Sequence, residues 1–405
     1  MPLTKRSIII DNIIESLDVP DSAYEAAERR YKDLGTWLHD QEKASIAPYS
    51  PHVFAQGSFR LGTVTRPWKR EDYDLDLACK LQQGVTKSEH TQQQLKHLVG
   101  SDLENYRKER GIQEKLEEHH RCWRLNYQDS LKFHMDIVPG IPEAEDRIKI
   151  LMERIIKTGT AEALANDVAK LAMAITDDRP PGYTAITPDW PISNQEGYAL
   201  WFEYRMRQAR ELLESRAAMA KVAKVDDLPT YRWKTPLQRC IQILKRHRDM
   251  MFEKNPDGKP ISAIITTLAA RSYKGEIDLE SAMNTILSNM DSFVNPTAPR
   301  VPNPVNPKED FADKWPSDPN LENNFRMWLD KARKDFNVLG QDIDIKTLTE
   351  SVLQKFGVNL DEAKLRKSGA LLEKAAAITS GAAFTAPNGT IGSSGVKNQP
   401  HKFYG

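Results

Sequence analysis

The chain has 405 residues, 40% of them apolar and 28% charged, a composition that suits a soluble globular protein with room for two packed lobes. Lysine plus arginine equals aspartate plus glutamate at 57 each, so the formal net charge is zero. A protein built mainly to grip nucleic acid would be basic, because phosphate neutralisation drives that binding; there is no strong sign here of direct DNA or RNA binding. Cys79, Cys122 and Cys240 are odd in number and far apart, which excludes a disulfide framework and a cysteine zinc site. No apolar run reaches membrane length, and Asp11 and Glu15 interrupt the apolar N-terminal stretch. The expected location is the cytoplasm.

The first 45 residues read as two helices. An apolar stripe of Ile8, Ile9, Ile13, Ile14 and Leu17 ends at Pro20, and Ser22 with Glu25 has the spacing of a capping box for the second helix. Between about 52 and 140 the pattern turns to strands. Val53–Ala55, Tyr73–Cys79, Cys122–Tyr127 and Lys132–Val138 are strand signals, with a turn at 128–130 and a helical stretch at 87–118. Beyond 145 the pattern is mostly helical. A helix is expected over 160–174, then a proline-rich loop over 177–191. A second capping box, Ser193 with Glu196, opens a long helix to about 222, and Thr235-Pro236 opens another to about 253. Further helices are expected near 262–273, 276–290, 320–337, 345–356 and 360–378. The stretch 292–319 has seven prolines and reads as an extended loop, and 379–405 reads as a flexible tail rich in Gly, Ser, Thr and Asn. The expected division is 1–175 for N-terminal helices and a mixed-sheet core, 176–378 for a helical lobe, and 379–405 for the tail.

Three features carry chemistry. Gly57-Ser58 follows a short strand and opens a helix; glycine permits close backbone approach to a phosphate, and a helix start offers free N–H groups. By itself this is an ordinary turn. Asp74-Leu75-Asp76 places two carboxylates on one side of a strand, Cα atoms about 6.5–7 Å apart, with Tyr73, Leu75 and Leu77 on the other. Such carboxylates repel unless a cation bridges them or water covers them. Asp136 lies inside the apolar run Phe133–Pro139, where an aspartate is costly unless paired or liganded. Three carboxylates suffice to hold two Mg2+ ions (or Mn2+) in a two-metal site. His134 shares the parity of Asp136 and is expected to pack rather than face the site. Trp190, Tyr198 and Tyr273 are candidates for base stacking, although aromatics at helix positions are usually core.

Gly57-Ser58, Asp74-x-Asp76 and Asp136 together resemble the signature of the DNA polymerase β-like nucleotidyltransferase superfamily. The fuller run Gln56-Gly-Ser-Phe-Arg-Leu-Gly-Thr63 with Asp72-Tyr-Asp-Leu-Asp-Leu77 resembles the bacterial cGAS/DncV-like nucleotidyltransferases, the CD-NTases of CBASS antiphage systems. The resemblance covers roughly 20–375. It implies an α+β fold, a polymerase β-like core with a C-terminal helical lobe. The implied activity is a synthase joining NTPs, ATP among them, into a cyclic di- or trinucleotide with pyrophosphate release. It also implies catalytic and metal-binding roles for Asp74, Asp76 and Asp136, substrate contacts for Gln56, Gly57 and Ser58, and donor-triphosphate contacts for Lys245 and Ser262. The residue-level alternative for Lys245 is a solvated charge beside Arg246 and Arg248, and for Ser262 a helix cap. In some members a tail ending in glycine is joined to another protein by a ubiquitin-transfer-like conjugating enzyme, which Gly405 would suit. The alternatives are a linear transferase acting on RNA, protein or a small molecule, and an inactive nucleotide-binding scaffold.

Overall fold

The computed structural model describes residues 5–68, 72–128, 132–219, 234–339 and 345–360, with three two-residue strands in the tail. The remainder of the 379–405 tail call, with Gly405, and all but the first residue of the helix expected over 360–378 lie outside the described residues. Leu17–Asp330 form one compact unit; Met1–Ser16 and Lys331–Gly405 form a second.

The chain opens with α1 (Lys5–Leu17) and α2 (Asp21–His39), followed by β1 (Pro51–Ala55), the single-turn α3 (Gly57–Leu61) and β2 (Tyr73–Leu81). Then come α4 (Gln92–Glu109), β3 (Glu117–Glu118), β4 (Trp123–Tyr127) and β5 (Phe133–Pro142). The strands form one sheet in the order β1-β2-β5-β4-β3. β2 and β5 run parallel, and α4 lies within the crossover between them; β1–β2, β4–β5 and β3–β4 are antiparallel. One face of the sheet is apolar. Leu75, Leu77, Cys79 and Leu81 from β2 and Phe133, Met135 and Ile137 from β5 form a core with Leu34, Trp37 and Leu38 of α2 and Leu95, Val99 and Leu103 of α4.

α5 (Glu145–Lys157) and α6 (Glu162–Ala169) follow, then β6 (Met173–Ile175), which pairs with β5, and β7 (Ile192–Ser193), which pairs with β6. The sheet therefore runs past residue 175 to Ser193. Residues 173 and 174, expected to end the 160–174 helix, instead join 175 in a strand because β5 continues to Pro142 and offers them a backbone partner. α7 (Gln195–Met219), α8 (Pro236–Met251), α9 (Ser262–Ser272), α10 (Leu279–Asn289), α11 (Pro319–Val338) and α12 (Ile345–Phe356) complete the helices.

Helix starts show where spacing misleads. Thr235 caps α8, as its sequence predicts, and Gln238 completes a reciprocal box that the sequence reading did not name. The box expected at Ser22 does not form. α2 starts one residue earlier, with the Pro20 carbonyl accepting from Ala23 N and Tyr24 N. The cap of α7 is Asn194, whose Oδ1 accepts from Gly197 N at 3.1 Å, while Glu196 pairs with Lys80 at 2.8 Å instead of capping. Within the proline-rich stretch, β8 (Pro302–Asn303) and β9 (Asn306–Asp310) form a short hairpin. Asn303 accepts from Val305 N and donates to Glu309, and Asp310 gathers the N–H groups of Arg300, Val301 and Ala312. Its asparagines and aspartate thus replace the ladder bonds that prolines lack. Trp190 and Tyr273 are buried, and Tyr198 spends its hydroxyl on Thr267 at 2.8 Å, so these aromatics are core.

The three cysteines are free thiols. Among the described residues no helix is long and apolar enough to cross a membrane. In the second unit, buried Asp335 accepts from Lys331 at 3.0 Å and Lys355 at 2.9 Å, and Phe336 meets Phe356 edge-on.

One contact fixes β4 against α4. Trp123 Nε1 donates to Lys96 O at 2.9 Å, and its ring lies so close to Gly100 that a Cβ there would come within 2.4 Å of it. Gly100→Ala is expected to lower stability by about 1–3 kcal/mol in urea unfolding, with a shift in tryptophan emission. An unchanged midpoint would show that β4 can move away freely.

Candidate active site

The parallel register of β2 and β5 sets the site. Asp76 stands opposite Asp136 and Asp74 opposite His134; on the far side of β5, Arg124 pairs with Asp136 and Asn126 with His134. Two transverse rows result, Asp76-Asp136-Arg124 and Asp74-His134-Asn126, on the face opposite the apolar core. Sequence parity gives Asp74 and Asp76 one face of β2; the strand register sets Asp136 opposite Asp76.

Gly57 meets this row from the β1–α3 turn. Its φ is +58°, and a Cβ there would lie 2.1 Å from Asp76 Oδ2. Only glycine leaves room for the carboxylate. The preceding Gln56 N donates to Asp76 O at 2.7 Å, and the buried Gln56 Nε2 has no hydrogen-bond partner among the described residues. Ser58 follows, half-buried, in the first turn of α3.

Electrostatics shows what the row lacks. Burial first, then the charges of Asp136 and Asp74, push the Asp76 carboxyl up to about 6; Lys245 and Arg124 pull the other way. Asp74 is also raised, again mainly by burial, with Asp136 and Asp72 adding to it. An all-oxygen donor set that raises its own proton affinity fits a hard divalent cation. Among the described residues the carboxylates do not close into a cluster of three or more metal ligands. Asp136 instead meets Arg124 in a two-pronged pair, Nε–Oδ1 2.6 Å and Nη2–Oδ2 2.8 Å. Asp136 in turn raises the Arg124 guanidinium further above its ordinary value.

His134 departs from the packing role expected of it. Its Nδ1 lies 2.6 Å from Asn126 Oδ1 and its Nε2 3.1 Å from Asp72 Oδ2, while Asn126 donates to Glu117 at 2.9 Å. The ring belongs to a polar chain beside Asp74, because residues of one parity on β5 share the carboxylate face.

The basic side of the site comes from α8. Gln238, Gln242, Lys245 and Arg246 lie on one helical face. Gln238 donates to Leu61 O at 2.9 Å, Gln242 to Val64 O at 2.6 Å, Lys245 to Thr63 O at 3.1 Å and Arg246 to Arg66 O. The helix thus holds the loop after α3 by its carbonyls. Lys245, Arg246 and Arg248 are buried, not solvated. Burial and the Arg248 charge bring Lys245 down to about 8, while Asp249, Asp76 and Asp74 oppose the fall. Ser262, the first residue of α9, accepts from Arg248 Nη1 at 3.0 Å; Arg248 also binds Pro260 O and Asp249. Lys245 and Ser262 therefore share a neighbour, Arg248, one turn beyond Lys245. Sequence reasoning missed Arg248 and Arg124. The first sits three residues after Lys245, a helical neighbour, so periodicity held a signal for it. The second became visible only with strand register.

Residues 51–139 match the family model described as cyclic GMP-AMP synthase DncV-like, nucleotidyltransferase domain. A c-di-GMP synthase from Roseivirga ehrenbergii is 27% identical over 346 residues, 84% of this chain and 81% of the relative. The cyclic dinucleotide synthase CdnG from Bradyrhizobium diazoefficiens is 22% identical over 362 residues, covering 86% and 80%. In fold, the chain resembles that CdnG, a CD-NTase solved in complex with GTP, with a TM-score of 0.63, 18% identity and coverage of 92% of this chain and 99% of the other. It also resembles Escherichia coli MS115-1 CdnC, solved in complex with HORMA-deltaN, with a TM-score of 0.56, 13% identity and coverage of 88% and 98%.

The raised Asp76 carboxyl makes stability depend on pH. The folded state binds this proton more tightly than the unfolded chain, so stability is lost as pH rises from the ordinary carboxylate value of 3.8 through about 6. Asp76→Asn removes that loss. In EDTA the variant is expected to unfold at higher urea than the parent above about pH 7, with the gap closing toward about pH 4. A parent as stable as the variant at high pH would contradict the crowding of charge inferred here.

Proposed function

We propose that this chain, a member of the DncV-like nucleotidyltransferases by its 51–139 domain, joins nucleoside triphosphates into a cyclic oligonucleotide messenger for antiphage defence. The observation that carries the reading is the row formed by Asp76 and Asp136, with Asp74 one pleat away and glycine against the Asp76 carboxylate. Both curated relatives are named for cyclic dinucleotide products, which favours a two-nucleotide ring over a three-nucleotide one and places GTP beside ATP among the substrates to test.

In each transfer a ribose hydroxyl attacks the α-phosphorus of a triphosphate. The new P–O bond forms as the bond to the β-phosphate breaks, and pyrophosphate leaves. A second transfer of the same kind closes the ring. Asp136 orients the attacking hydroxyl and receives its proton. Asp74, Asp76 and Asp136 would hold Mg2+ (or Mn2+), which when bound acidifies the hydroxyl and offsets charge on the leaving group. Gly57 and Ser58 let the backbone and a hydroxyl approach the phosphates, and Gln56 offers its unmatched amide N–H groups. Lys245 and Ser262 bind the donor triphosphate from the helical lobe. The enzyme works in the cytoplasm, where its substrates are. Gly405 is the proposed point of attachment to another protein through a ubiquitin-transfer-like conjugating enzyme.

Incubation with all four NTPs and magnesium is expected to give a phosphatase-resistant product whose mass identifies the ring. Asp76→Ala should yield none, and Lys245→Ala should raise KM for the donor roughly tenfold, the loss of one charge-assisted contact. Product from Asp76→Ala would overturn the site assignment; a linear product alone would overturn cyclisation. Removing the last few residues should abolish conjugation and leave purified-enzyme turnover intact, and loss of basal turnover would refute a role confined to attachment.

A further inference from the structure

Among the described residues, Asp136 is the carboxylate of the row whose two oxygens are both engaged. Arg124 takes one with Nε and the other with Nη2, at 2.6 and 2.8 Å, in the planar fork that matches a carboxylate edge to edge. The pair is built in by register: Arg124 and Asp136 are direct cross-strand neighbours, and Trp123 next to Arg124 is fixed against Gly100 and the Lys96 carbonyl. These contacts seat the β4 backbone against α4 and β5, so the side chain is the freest part of Arg124. Its charge also bears on Asp74 and Asp76, where it opposes their rise in proton affinity. A guanidinium so placed is the resident cation of a site made for cations.

We infer that Arg124 is a positioning residue that holds Asp136 as an internal counter-ion and competes with divalent metal for it, so that the three carboxylates take up metal fully only when a nucleotide brings its own phosphate oxygens. This rests on the metal-binding reading of Asp74, Asp76 and Asp136. The competition is between one positive charge in a two-pronged pair and two charges that need several oxygen ligands. Three crowded carboxylates and water supply part of that shell, and triphosphate oxygens supply the rest. Without the triphosphate oxygens a divalent ion would have to displace Arg124 with a shell left to the carboxylates and water. Mutual exclusion of this kind is reciprocal, so anything that removes the arginine must raise affinity for the metal.

The test uses the full chain and Mn2+ as the probe, with free ion counted by electron paramagnetic resonance in the absence of nucleotide. Arg124→Gln is expected to bind Mn2+ roughly tenfold more tightly than the parent, within the usual range for coupled sites, and a non-hydrolysable NTP should narrow that gap. Arg124→Lys, which keeps the charge but loses the fork, should fall between the two, and it carries the test if the glutamine variant does not fold. Equal or weaker Mn2+ binding by the variants would overturn the proposal, leaving Arg124 as a brace that merely orients a ligand. Asp76→Ala should leave the Mn2+ free in solution in either background. If neither parent nor variant binds Mn2+ even with nucleotide, the metal reading itself fails and this inference falls with it.

Discussion

The constraint on which the site depends is the parallel pairing of β2 with β5 in a register that sets Asp76 against Asp136. A sheet brings neighbouring strands within about 5 Å, so like charges placed in register repel at close range. Folding tolerates this because the opposite face of the same strands buries a continuous apolar core, and a slip of one residue would turn that core to water. The hydrophobic pattern therefore enforces a pairing that electrostatics resists. What surrounds the row can be read as a response to that conflict: glycine at 57 makes room for a carboxylate, Arg124 neutralises one, and Lys245 leans on another from outside the sheet.

The second half of the design is how Lys245 gets there. A buried lysine is costly unless its ammonium has acceptors. The Thr63 carbonyl supplies one, and the face of α8 that carries Lys245 also carries Gln238, Gln242 and Arg246, each bonded to a carbonyl between residues 61 and 66. Those carbonyls belong to the segment directly following Gly57-Ser58. The same bonds that place the cation thus also tie down the segment leaving the Gly57-Ser58 turn, which couples the positions of the two. Arg248, one turn on, carries the arrangement to Ser262.

Much of this was legible in the sequence because it follows from local periodicity. Parity on a strand gave Asp74 and Asp76 a common face, an aspartate inside an apolar run marked Asp136, and Thr235-Pro236 announced α8. Features requiring a partner from elsewhere in the chain were not legible. Arg124 looks like any strand arginine until β4 is laid against β5. His134 was expected to pack because an imidazole in an apolar run usually does, yet register gives it Asn126 and Asp72. The capping boxes at Ser22 and Ser193 had the right spacing and lost to better local acceptors, Pro20 O and Asn194 Oδ1. Most of the short strand 173–175 reads as helix in isolation and becomes strand only because β5 is long enough to pair with it.

Zero net charge across 405 residues conceals a strongly polarised centre. Asp76 at about 6 and Lys245 at about 8 both lie toward neutrality from their ordinary values, and burial is the first cause of each. Left alone, either would shed its charge more readily still; each keeps the other ionised, since Lys245 lowers Asp76 while Asp76 and Asp74 raise Lys245. The polarisation is therefore mutual and conditional. A metal–triphosphate complex, positive at the ion and negative along the phosphates, presents the complementary pattern to both sides at once. If the proposed metal and triphosphate roles hold, the site would favour that whole pattern, because a free cation would meet the competing Arg124 and a free phosphate three carboxylates. Selection for the complete substrate complex over either of its parts would then follow from charge placement, with one arginine side chain as the part that moves.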